Sequence, residues 1–147
     1  MNTLIKKIDA SRMASSDFKE AAEFLRSGKL VAFPTETVYG LGGNAYDSTA
    51  SARIYAAKGR PSDNPLIVHI SSFTEIGPLV SDIPEEARAL ADRFWPGPLT
   101  MILNKSDRIP KETTGGLDTV AIRMPSANRG MRLRTSHLHL LTRRQTG

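Results

Sequence analysis

The chain contains no cysteine among its 147 residues, which excludes disulfides and thiolate metal sites and leaves oxygen or imidazole as the ligands for any metal. No stretch approaches the roughly 20 apolar residues of a membrane span. The N-terminal MNTLIKKIDASRMASSDFKE carries two Lys but no continuous apolar run and no small-residue cleavage pattern. A cytoplasmic protein with no membrane partner is the expectation. Two common phosphate signatures are also missing: nothing matches a P-loop, and Gly40-Leu41-Gly42-Gly43 lacks the third glycine of a dinucleotide fingerprint. There are no internal repeats and no low-complexity segments.

Acid is missing from one end only. Five of the 20 Lys and Arg fall between Arg129 and Gly147, where there is no Asp or Glu, so the 15 basic residues before them are matched by all 15 acids. The net charge of +5 therefore belongs to the tail, and the rest of the chain is neutral. A chain of this length forms one domain and can bury roughly 68–70% of its unfolded surface. Residues 1–128 are expected to form that domain and residues 129–147 a disordered Arg-rich tail, a composition that suits a solvated end as well as a nucleic-acid contact.

Periodicity supplies the elements. Residues 4–8 read as a short strand. Asp17 stands as a helix cap with Glu20 closing a capping box, Phe18, Ala21, Ala22 and Leu25 recur at helical spacing, and Gly28 sits where a left-handed residue ends the helix. Residues 30–33 and 37–41 are extended, and a helix from Asp47 or Ser48 delivers Lys58 near its C-terminal end. Residues 66–70 form a buried strand interrupted by His69. A helix opening at Pro84 runs to Phe94 and is stopped by Trp95-Pro96-Gly97-Pro98. Strands at 99–103 and 119–123 flank a polar loop. Alternating strands and helices predict an α/β fold, an open twisted mixed sheet with flanking helices.

Residues 31–70 hold most of the chemistry. Singly, each group has a structural reading: the glycines as a tight turn, Lys58 and Arg60 as a solvated loop, His69 as a core histidine, Thr35 and Thr37 as strand threonines sharing one face. Together they offer hydroxyls at a turn, then a helix, then two cations on a Pro-stiffened loop, a layout suited to an anionic, nucleotide-sized ligand.

The ordered series Pro34-Thr-Glu-Thr-Val-Tyr-Gly-Leu-Gly42, Lys58-Gly-Arg-Pro61, Asn64-Pro-Leu66, His69, Trp95-Pro-Gly-Pro-Leu-Thr100 and Val120-Ala-Ile-Arg-Met-Pro125 closely resembles the threonylcarbamoyl-AMP synthase family, the YrdC-like domain of tRNA modification. The resemblance implies L-threonylcarbamoyladenylate synthase activity. L-threonine, bicarbonate and ATP, with Mg2+, would give threonylcarbamoyl-AMP and pyrophosphate for tRNA threonylcarbamoyladenosine modification, the intermediate passing to downstream threonylcarbamoyl-transfer proteins. It also implies site roles: Thr37, His69 and Arg123 for threonine, Lys58, Arg60, Asn64, Thr119 and Ser126 for ATP, and Lys58 and Arg60 for stabilising the transferring phosphates. No dedicated protein metal cage is expected.

The C-terminal part departs from the family pattern. Arg123-Met-Pro125 runs directly into Ser126-Ala-Asn128, where the family has a helix and a strand before a separate Pro-Ser-Ala-Asn loop. An internal deletion followed by a shifted reading frame is the expectation, leaving an exposed sheet edge. The alternative from another class is a double-stranded RNA or tRNA-binding module without catalysis, and a third is a carbamoyltransferase module of the hydrogenase-maturation kind.

Overall fold

A computed structural model describes residues 2–9, 11–12, 14–34, 39–59, 61–126 and 140–142. A 3-10 turn, Ser15–Phe18, leads into helix α1, Lys19–Arg26. The capping differs from expectation: Asp17 sits inside the first turn, where its Oδ2 accepts the Ala14 N–H at 2.9 Å. Gly28 adopts the left-handed conformation expected of it, with φ at 75°. The strand expected at residues 4–8 does not form. Leu4 and Ile5 are 58% and 83% exposed, and no described strand pairs with them.

Strands β1 (Val31–Pro34) and β2 (Tyr39–Gly42) form an antiparallel hairpin with Val31 opposite Gly42 and Pro34 opposite Tyr39. Helix α2 (Ser48–Lys58) starts at Asp47, whose side chain accepts the Thr49 N–H at 2.8 Å, and ends at Gly59 in the left-handed region. Strand β3 (Ile67–His69) follows, then a 3-10 segment, Phe73–Leu79, that sequence periodicity misses. Its Gly77 and Pro78 are poor helix formers; Ile76 and Leu79 are buried, and Phe73 packs against the core. Helix α3 (Glu85–Phe94) begins just after Pro84 with Glu85 and Glu86 in its first turn, as expected. No helix among the described residues is long and apolar enough to cross a membrane.

Strands β4 (Thr100–Asn104), β5 (Thr119–Arg123) and β6 (Leu140–Thr142) join β3 in a four-stranded sheet of order β4-β5-β3-β6. Only β3 and β5 are parallel, which makes the sheet mixed. β6 lies within the segment expected to be a disordered tail and pairs with β3; apart from β6, residues 129–147 lie outside the described residues.

Side chains alternate across this sheet. Val68, Met101, Val120 and Ile122 face the core, where they meet Ile54 and Tyr55 of α2, Ala87 and Ala91 of α3, and Ile76 and Leu79. The opposite face carries Ile67, His69, Thr100, Ile102, Thr119, Ala121 and Arg123.

Two contacts hold the start of β3. Thr113 is fully buried; its hydroxyl donates to the Ala45 carbonyl at 2.9 Å, so Ser51, 2.8 Å away, supplies its own proton to Thr113 Oγ1. The Thr113 carbonyl then accepts the Leu66 N–H at 3.1 Å. Gly115, with φ at 62°, lies so close to the chain at Asp63 that a Cβ would fall 2.8 Å from the Asp63 carbonyl oxygen. Gly116 also has positive φ, yet a Cβ there meets nothing within 4 Å. Left-handed backbone costs an alanine about 1–2 kcal/mol. In urea unfolding, Gly116→Ala is expected to lose about that amount and Gly115→Ala clearly more; equal losses would contradict the close approach.

Candidate active site

The open face of the sheet is organised in rows. Register places Thr100 of β4 opposite Arg123 of β5, and Arg123 beside His69 of β3. The next row is Ile102, Ala121 and Ile67, and beyond it Thr119 pairs with Asn104. A polar row is thus separated from a second polar position by an apolar one. Arg123 and Thr119 stand four residues apart on one strand, about 13 Å at a typical strand rise.

The first row is the better defined chemically. Arg123 Nε donates to Thr100 Oγ1 at 2.8 Å. Burial, and then the neighbouring Arg123 guanidinium, lowers the His69 pKa from 6.5 to about 3. At neutral pH the row therefore offers one fixed cation flanked by a neutral imidazole and a hydroxyl. That combination can pair with a carboxylate while hydrogen-bonding its neighbours.

At the other end of the parallel pair, Asn64 precedes β3 and Thr119 begins β5. Tyr55, one turn before Lys58, donates from its hydroxyl to the Asn64 carbonyl at 2.7 Å, tying the last turn of α2 to the Asn64 loop. Asn64 is exposed, and Lys58 and Thr119 are partly buried. Ser126 is exposed just beyond β5, where the Met124 carbonyl accepts the Gly97 N–H at 2.8 Å.

Of the residues singled out in the sequence, His69 and Arg123 are brought side by side, and Asn64 and Thr119 lie toward the opposite ends of their strands. Thr37 and Arg60 lie outside the described residues, as do Ala127 and Asn128, which follow the deletion expected after Pro125. Thr100 closes the Trp-Pro-Gly-Pro-Leu-Thr motif, but its bond to Arg123 depends on strand register, which a motif does not display. Among the described residues, no group of three or more His, Cys, Asp and Glu is placed to hold a metal ion.

Residues 23–142 match the family described as "Telomere recombination", which spans the Sua5, YciO and YrdC proteins. The chain belongs to this family. It is 63% identical over 113 residues to the threonylcarbamoyl-AMP synthase of Pyrococcus abyssi, covering 77% of this chain and 33% of that protein. Identity to the Bacillus subtilis threonylcarbamoyl-AMP synthase is 57% over 107 residues, 72% of this chain and 31% of that protein. The crystal structure of P. abyssi Sua5 complexed with L-threonine superimposes with a TM-score of 0.83 at 54% identity, covering 90% of this chain and 39% of that one. The chain spans about a third of the length of these curated relatives. Family and α/β fold agree with the sequence expectation, and the family match runs past Pro125 to residue 142.

The depressed His69 pKa has a defined consequence. A neutral imidazole in the folded state, set against an unfolded value of 6.5, means that stability present above pH 6.5 is lost as pH falls from there toward about 3. An NMR titration is expected to show the His69 ring neutral throughout pH 5–7.5. A midpoint near 6.5 would contradict the arrangement.

Proposed function

We propose that the chain is a threonylcarbamoyl-AMP synthase-type nucleotidyltransferase, acting on L-threonine, bicarbonate and ATP. The observation that carries this reading is the Thr100–Arg123–His69 row, with its cation, neutral imidazole and hydroxyl on the open sheet face. The family supports it, since one member has been crystallised with L-threonine.

In this reading the Arg123 guanidinium receives the threonine carboxylate. Neutral His69, with Thr37, orients the polar atoms beside it, and neutrality matters because a neutral imidazole has an acceptor nitrogen as well as a donor. Threonine and bicarbonate condense to N-carboxythreonine and water. A carbamate oxygen then attacks the α-phosphorus of ATP, forming a new P–O bond as the bond to pyrophosphate breaks. Lys58 and Arg60 balance the charge that accumulates on the leaving group. Asn64, Thr119 and Ser126 hold the nucleotide, and the spacing of about 13 Å from Arg123 to Thr119 suits a ligand with an amino-acid end and a nucleotide end. Positioning of the reactants replaces a covalent nucleophile.

The described residues assigned to the ligands here, Lys58, Asn64, His69, Thr119, Arg123 and Ser126, include no carboxylate. This set fits Mg2+ arriving on the ATP phosphates and completed by water, and among these residues Asn64 would hold it through its side-chain amide oxygen. The ion would neutralise phosphate charge when bound.

The test is pyrophosphate release from ATP with Mg2+ and bicarbonate, with and without L-threonine, on protein shown to be folded by circular dichroism. Threonine-dependent release is expected. Arg123→Gln should raise the L-threonine KM by about 10- to 100-fold, the usual loss for a charge-assisted hydrogen-bond pair. No release from folded protein, together with salt-sensitive RNA binding, would favour the non-catalytic reading instead.

A further inference from the structure

An arginine can meet a carboxylate in two ways, side-on through Nε and one Nη, or end-on through both Nη groups. At Arg123 the choice is constrained, because Nε–H is already donated to Thr100 Oγ1 at 2.8 Å. The acceptor is well held. Thr100 is the direct antiparallel partner of Arg123, so backbone pairing sets its position, and β-branching stiffens its χ1. Both residues are partly buried on the open face, where the bond is shielded more than on an exposed surface. On the other side of Arg123, the parallel partner is His69.

We propose that Thr100 is a positioning residue: its hydroxyl oxygen holds the Nε edge of Arg123 and fixes the plane of the guanidinium, so that the amino-acid carboxylate is received without Nε. This rests on the reading that Arg123 binds threonine. The physical gain is preorganisation. A free arginine side chain samples many rotamers, and a guanidinium already fixed at Nε loses less freedom on binding. The effect falls on the amino-acid end of the site, because Thr119 and Asn64 lie at the other ends of β5 and β3.

The experiment compares the full wild-type chain with Thr100→Val, which keeps shape and removes the acceptor, and Thr100→Ser, which restores the acceptor. Two readouts are taken: steady-state KM for each substrate, and the Arg123 Nε–H resonance in 15N-edited NMR. Thr100→Val is expected to raise the L-threonine KM about 10-fold, with a smaller change in kcat and an ATP KM within about twofold of wild type. It should also broaden or shift the Nε–H signal. Thr100→Ser should recover both readouts. If Thr100→Val leaves the threonine KM and the Nε–H signal unchanged, or if Thr100→Ser fails to rescue a folded protein, the positioning role is wrong. A wild-type chain with neither threonine-dependent turnover nor threonine binding would overturn the functional reading as well, whereas a responsive wild type with an unresponsive Thr100→Val overturns this inference alone.

Discussion

Everything distinctive about the open face follows from the parallel pairing of β3 with β5. Its register sets Val68 beside Ile122 on the core side and, one residue later, His69 beside Arg123 on the other. Because strand side chains alternate, a slip of one residue in β3 would send His69 into the hydrocarbon and bring Val68 out, and the same slip in β5 would do so for Arg123 and Ile122. The core therefore enforces the site. Burying Val68, Ile122 and Val120 against α2, α3 and the 3-10 segment is what holds a guanidinium next to an imidazole, an adjacency that disfavours histidine protonation.

That pairing in turn depends on a polar brace at its entrance. Ser51, Thr113 and the Ala45 carbonyl form a buried hydrogen-bonded chain, and the Thr113 carbonyl captures the amide of Leu66 immediately before β3. The close approach at Gly115 fits the same loop against the residues around Asp63. The loop after β4 thereby positions the segment carrying Asn64 without itself joining the open face, and Tyr55 secures that segment from the helix side. Stability and site geometry share the same few bonds.

Much of this was legible in the sequence. Helix α1 announces itself through periodicity, helices α2 and α3 through their start signals at Asp47 and Pro84, and the strands around His69 and Arg123 through short apolar runs. The candidate site residues rest on ordered motifs, because no single residue separates a ligand-binding histidine from a core one. What escaped has physical reasons. The strand expected at residues 4–8 needed a partner that local sequence cannot supply. The 3-10 segment contains Gly77 and Pro78, which weaken any helical signal. β6 is three residues long, and what makes it a strand is the neighbouring β3 rather than its own pattern. Thr100 and Thr113 act through partners 23 and 68 residues away, contacts that exist only after folding.

The central claim is that the Arg123–His69 end of the open face receives an amino-acid carboxylate. Titrating isotope-labelled protein with L-threonine and mapping chemical-shift changes tests this directly. The account predicts saturable shifts concentrated at Thr100, His69 and Arg123, with little change on the outer surfaces of α1 and α3. Saturable shifts confined to those helices, or no shifts in folded protein, would contradict it.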